Sequence, residues 1–289
     1  MGARQVTANG LRFAYLEQGP ADGPLALCLH GFPDHAATWR HLLPALADAG
    51  YRAVAPWMRG YAPTEVPSQR ATPPATLTAD VNALHRALGG DDRAVLVGHD
   101  WGAVFAGRAA RVASHRWRSL VTMAVPPELV FVHQPPDARQ AWRSWYMLAA
   151  QLPRAEGIFL RDDLALVEQL WRTWSPGYEP EPEDLRRIKA TLSDPGVMRA
   201  ALSYYRGFGA EAVRSRGGRG RVPLPPRQPH LVLHGADDGC LGVEFAEASA
   251  GLLPHPGSRV EVLADVGHFL HLEAPERVAG LVMDHLAAS

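Results

Sequence analysis

The chain has 289 residues, 47% of them hydrophobic, and its 29 Lys and Arg against 30 Asp and Glu leave a formal net charge of −1. That size and apolar content suit one large α/β unit carrying an insertion, and near neutrality offers no electrostatic handle for nucleic acid, an anionic membrane or a polyanionic substrate. The two cysteines, Cys28 and Cys240, lack metal-ligand spacing and read as buried thiols. With no leader-like N-terminal pattern and no apolar run of membrane-spanning length, a soluble cytoplasmic protein is expected.

In chain order, residues 5–17 read as a hairpin turning at Asn9-Gly10, a type I′ signal. LALCLHGFPD, residues 25–34, is a continuous apolar strand of the kind buried on both faces of a parallel sheet, running straight into an HGFP loop. A helix follows over 39–49, then the strand and turn of YRAVAPWMRGY, then a helix over 76–88 with Thr76 or Thr78 as its cap. Such alternation implies right-handed crossovers and a parallel sheet whose ligands lie beyond the carboxyl ends of the strands.

The stretch AVLVGHDWGAVFAGRAARV, residues 94–112, reads as strand, sharp turn and helix. Its turn, G-x-D-x-G with Gly98 and Gly102 around Asp100, has the spacing of a nucleophile elbow with a carboxylate at the position usually held by Ser. The helix points its N-terminal N–H groups at that side chain and favours an anion there. A hydroxyl attacking saturated carbon would end as a stable ether, whereas a carboxylate forms an ester that water can cleave. Asp100 therefore points to the opening of C–O or C–halogen bonds at sp3 carbon through a covalent alkyl-enzyme ester. An oxyanion formed during cleavage would be held by an N–H from the HGFP loop and the one after the nucleophile, making Phe32 and Trp101 the candidates.

Beyond the elbow, residues 119–128 are one more strand, and residues 129–213 change character, rich in Trp, Tyr, Arg and Pro with helical patterns and no buried strand. They read as a helical cap (129–213) on a core built from residues 1–128 and 214–289. The Gly/Arg then Pro-rich run 214–229 reads as a solvated connection. Strands resume at His230 and Arg259, a helix closes the chain over 275–287, and there are no internal repeats.

Cleaving the ester needs a base for water, and His268, in the V-G-H-F turn after the last strand, comes last in the order nucleophile, acid, histidine. His271 is its competitor, while His30 and His99 read as turn supports. The carboxylate orienting the histidine comes from the GADD turn, with Asp238 chosen over Asp237. An epoxide oxygen must also be protonated as it leaves; Tyr146 and Tyr205 lie in the insertion, though either is equally readable as amphipathic packing. Phe32, Trp101, Trp142 and Trp145 are expected to line an apolar pocket.

HGFPD, GHDWG, the GADD turn and VGHF together resemble the α/β-hydrolase family of epoxide hydrolases over nearly the whole chain. The resemblance implies an α/β-hydrolase fold, a mostly parallel eight-stranded sheet flanked by helices with a helical cap after the sixth strand, and no cofactor or metal. It implies Asp100 as nucleophile, His268 as base and Asp238 as its partner. WYMLAAQLPRAE and SYYRGF are similar to the family's two tyrosine segments, which puts epoxide polarisation on Tyr146 and Tyr205, with Tyr204 as neighbour. WMRGYAPTE departs from the family's R-G-Y-G-x-S turn at Ala62 and Thr64. The implied partners are a small apolar epoxide and water.

The runner-up is a haloalkane dehalogenase, with Trp101 donating its indole N–H to the halide. Fluoroacetate-type dehalogenation would need an Arg clamp that nothing in the sequence locates. A non-catalytic member of the fold should lack Asp100, Asp238 or His268, and all three are present.

Overall fold

Asn9 and Gly10 adopt φ of 47° and 72°, the pair of positive values a type I′ turn needs, and fold β1 (Arg4–Ala8) onto β2 (Leu11–Gln18) as an antiparallel hairpin. The computed structural model describes residues 2–68, 71–215 and 224–289. Six further strands follow: β3 (Leu25–Leu29), β4 (Arg52–Pro56), β5 (Val95–His99), β6 (Ser119–Met123), β7 (His230–Gly235) and β8 (Arg259–Leu263). All eight form one sheet in the order β1-β2-β4-β3-β5-β6-β7-β8. Its first two pairings are antiparallel and the rest parallel. Every residue of β3, β5, β6 and β7 is buried, as expected of strands covered by helices on both faces.

The connections before β6 hold α1 (Leu42–Asp48), α2 (Pro74–Ala87) and α3 (Trp101–Val112). The helix expected over 39–49 is split. A 3-10 segment, Ala36–Arg40, comes first, capped by the His35 ring accepting the Ala37 N–H, and α1 starts only at Leu42. Neither Thr76 nor Thr78 caps α2. Pro74 opens the helix, needing no partner for an N–H it lacks, and Thr78 Oγ1 donates back to the Pro74 carbonyl at 2.9 Å.

Between β6 and β7 the described residues form helices: α4 (Val130–His133), α5 (Ala138–Arg143), α6 (Trp145–Ala149), α7 (Ala155–Phe159), α8 (Arg161–Trp174), α9 (Pro182–Leu192) and α10 (Pro195–Ser215). Residues 216–223 of the connection expected over 214–229 lie outside the described residues. The chain ends with α11 (Val243–Ser249), α12 (Leu270–Glu273) and α13 (Pro275–Ala287). Among the described residues no helix is long and apolar enough to cross a membrane.

Two apolar clusters sandwich the sheet. One joins it to α1 and α13 through Leu42, Leu46, Val278 and Val282. The other runs from α2 and α3 without a break into the insertion, through Trp101, Phe105, Phe159, Trp171 and Met198. Trp171 ties the insertion to the sheet-bearing part. Its indole N–H donates to the Pro33 carbonyl at 2.8 Å and its ring stacks on Phe269 at 3.8 Å. Trp171→Ala should lower stability in urea by about 3–5 kcal/mol, the cost of emptying a buried tryptophan site. Trp142→Ala, at a residue 79% exposed, should stay within about 0.5 kcal/mol of the parent.

Candidate active site

β5 ends at His99 and α3 begins at Trp101, so the whole turn is carried by Asp100, whose φ of 51° and ψ of −121° are strained for a residue with a Cβ. Only missing side chains let the turn close. A Cβ on Gly102 would run into the Leu29 carbonyl, and one on Gly31 would meet the Asp100 carboxylate itself. The buried Asp100 Oδ1 accepts the Phe32 N–H at 2.7 Å, and the Trp101 N–H at the head of α3 supports the same charge. Burial nevertheless dominates and leaves the Asp100 carboxyl above its ordinary range.

The loops after β7 and β8 meet this turn. His268 Nδ1 lies 2.9 Å from Asp238 Oδ2, and its Nε2 faces Asp100 Oδ2 at 3.9 Å, beyond hydrogen-bond range. Asp238 Oδ1 accepts the N–H groups of Cys240 and Leu241 at 2.7 and 3.0 Å, whereas Asp237 is exposed. The geometry thus selects Asp238 over its neighbour. His271 packs away from Asp100, its Nε2 on Thr38 Oγ1 at 2.6 Å and its ring on Trp39. His30 Nε2 accepts the Met58 N–H at 3.1 Å, and His99 Nε2 donates to the His268 carbonyl at 2.9 Å, so these two hold turns together.

Burial disfavours an imidazolium at His268, but the charge and hydrogen bond of Asp238, with Asp100 adding to them, outweigh it and raise the pKa. Burial likewise pushes Asp238 up, and the His268 charge and hydrogen bond overcome it to leave that carboxyl low.

Tyr146 on α6 and Tyr205 on α10 are 4% and 2% exposed, with perpendicular rings 5.7 Å apart. Burial, reinforced by the Asp100 charge, holds both phenols well above their usual pKa. Tyr205 sits edge-on to Phe32 and Trp101, and the Trp101 side chain is the hydrogen-bonding neighbour of its hydroxyl. Tyr146 OH is 3.3 Å from Cys240 Sγ. Tyr204, the alternative, spends its hydroxyl on the Arg59 carbonyl at 2.7 Å. Among the described residues, His268 Nε2 is buried without a hydrogen-bond partner.

The expected lining by Trp142 and Trp145 is not found: the two are 79% and 40% exposed on the outer side of the insertion. Trp171 and Trp174 occupy the inner side instead. The Trp174 ring lies 4.9 Å from both His268 and Tyr146, and its carbonyl accepts the N–H groups of His268 and Gly239 at 3.0 Å each. W-R-S-W at 142–145 and W-R-T-W at 171–174 share one spacing, so periodicity alone could not tell them apart. Gln140 and Cys240, which bind the insertion to the Asp238 loop, were also missed.

Among the described residues, two groups have metal-ligating chemistry with donor atoms within 4.8 Å of one another: Asp34, His99 and His271, and Asp238, Cys240 and His268. In the second, the Asp238–His268 hydrogen bond already occupies the donors. In the first, burial pushes Asp34 up to about 8, so at neutral pH it is mostly uncharged and a poor cation ligand.

Residues 24–275 match the model of the α/β hydrolase fold family, and the chain belongs to that family. It is a hydrolase, and within the family it resembles the epoxide hydrolases. Epoxide hydrolase A of Mycobacterium tuberculosis is 31% identical over 99% of this chain and 98% of its own. Epoxide hydrolase 4 of Mus musculus is 29% identical over 96% of this chain and 77% of its own. The crystal structure of epoxide hydrolase A from Mycobacterium thermoresistibile, 28% identical, superimposes with a TM-score of 0.81 over 99% of this chain and 98% of that one.

The Asp238–His268 pair makes stability depend on pH. The raised His268 contributes fully below the ordinary imidazole value of about 6.5 and loses its contribution as pH rises through the folded value; the lowered Asp238 contributes above about 3.9 and loses it as pH falls. The stability difference between the parent and Asp238→Asn, measured by urea titration, should therefore be greatest between roughly pH 4 and 6.5 and shrink at higher pH.

Proposed function

We propose that the protein is an epoxide hydrolase that forms vicinal diols through an ester on Asp100. The observation that carries this reading is the pair of buried phenols, Tyr146 and Tyr205, within the electrostatic reach of the Asp100 carboxylate. An alkoxide is a poor leaving group near neutral pH and needs a proton, which two un-ionised phenols can supply.

In the first step Asp100 attacks a ring carbon, the C–O bond breaks, and the oxygen takes a proton from a tyrosine hydroxyl. In the second, His268 Nε2 removes a proton from water, whose oxygen adds to the ester carbonyl. The N–H groups of Phe32 and Trp101 hold the oxyanion as the diol leaves with a proton from the His268 imidazolium, and the proton that the added water leaves on the Asp100 carboxyl passes to the tyrosinate, restoring both side chains. Asp238 keeps the imidazole in the tautomer that leaves Nε2 free and stabilises the cation.

Asp100→Asn should abolish ester formation. His268→Gln should form the ester and stall, giving on intact protein a mass increase equal to one epoxide; full turnover by that variant would sink the assignment of the base. The raised His268 must be neutral to work, so in the parent the ester should accumulate below its pKa and disappear as pH rises through it, a course followed by quenching across a pH series.

One observation favours the dehalogenase as second reading: the Trp101 side chain, next in sequence to Asp100, is buried, and its indole N–H could donate to a halide. A panel of terminal, aryl and trans-disubstituted epoxides beside short bromo- and chloroalkanes, with Asp100→Ala as blank, separates the two. Diol without halide supports the epoxide reading; halide without diol overturns it.

A further inference from the structure

Gln140, on the inner side of α5, is polar yet only 3% exposed, and its amide is engaged mainly with the loop that carries Asp238. Its Nε2 donates to the Cys240 carbonyl at 2.8 Å and to Ser144 Oγ at 3.0 Å, while its Oε1 accepts the Gly242 N–H at 3.0 Å. The loop presents an acceptor at one point and a donor at the other, so an amide satisfies both in this orientation alone.

The clamped loop meets the site at two residues, Asp238 and Tyr146. The Cys240 N–H donates to Asp238 Oδ1 at 2.7 Å, and Cys240 Sγ lies 3.3 Å from the Tyr146 hydroxyl. Cys240 thus touches the partner of the base through its backbone and a phenol through its sulfur, and Gln140 sets where it sits. Tyr205 faces the Trp101 side chain and not this loop, so the two phenols are not equivalent.

We propose that Gln140 is a positioning residue for ring opening: by clamping residues 240–242 to α5 it holds Cys240 Sγ against Tyr146 and orients that hydroxyl for the leaving oxygen. This rests on the reading of Tyr146 as a proton donor. A thiol suits the task because sulfur is a weak hydrogen-bond partner; it orients the phenol without retaining its proton, as a carboxylate there would. Burial, with the charges of Asp238 and Asp100, keeps Cys240 itself protonated.

The test is a double-mutant cycle on ester formation and ester hydrolysis, resolved by quenched-flow single turnovers of styrene oxide with intact-mass detection. Gln140→Leu should slow ester formation about tenfold, the effect of losing one or two net hydrogen bonds, and leave hydrolysis within about twofold, because Asp238 keeps its local bonds to the N–H groups of Cys240 and Leu241. Tyr146→Phe should slow ester formation, and adding Gln140→Leu to it should cost nothing further, since the first acts through the second. Cys240→Ala, which leaves the clamp intact and removes only the sulfur, should give the same selective loss and the same non-additivity, and serves if Gln140→Leu does not fold. Additive losses, or equal slowing of the two steps, would overturn the positioning role while leaving Tyr146 as a donor. Unchanged ester formation in Tyr146→Phe would remove the donor reading and this inference with it.

Discussion

A carboxylate buried at the end of a strand is costly unless donors and a cation meet it, and Asp100 imposes that demand on the rest of the molecule. The Phe32 N–H, the Trp101 N–H and His268 answer it, from the loop after β3, the head of α3 and the loop after β8. Each sits at the carboxyl edge of the parallel strands, where open α/β sheets place their ligand sites. The glycines follow from the same demand: Gly31 and Gly102 leave the space in which the carboxylate and the neighbouring strand can approach.

The insertion takes part in that arrangement. Its apolar side chains belong to the cluster that includes α2 and α3, and the Trp174 carbonyl gathers the N–H groups of Gly239 and His268. Holding the helices down and holding the loops in place are therefore one set of contacts. Gln140 extends the idea to polar groups, tying α5 to the loop whose other hydrogen bonds fix Asp238.

Motifs whose chemistry is local were readable from the chain alone. The G-x-D-x-G turn named Asp100, because a strained elbow needs its glycines at fixed offsets, and the Asn9-Gly10 pair named the hairpin for the same kind of reason. The eight strands and the closing helix were legible from buried runs and periodicity, since short strands alternating with helices leave few ways to cover both faces of a sheet. Helix starts were less so: Pro74 and His35, with their backbone conformations and ring contacts, displaced the threonine caps and the single helix that composition suggested.

What composition and spacing determined was the set of candidate groups; what tertiary structure decided was which of several candidates with the same chemistry lie together. Asp238 over Asp237, Tyr205 over Tyr204 and Trp171/Trp174 over Trp142/Trp145 are each choices between residues with the same chemistry in the same local pattern. A pattern with the period of a helix says that one side will be buried, but the side is chosen by whatever packs against it. Here that is the Phe269 ring, the Pro33 carbonyl and the Arg59 carbonyl, contributed by segments at least 98 residues distant from Trp171 and 145 from Tyr204.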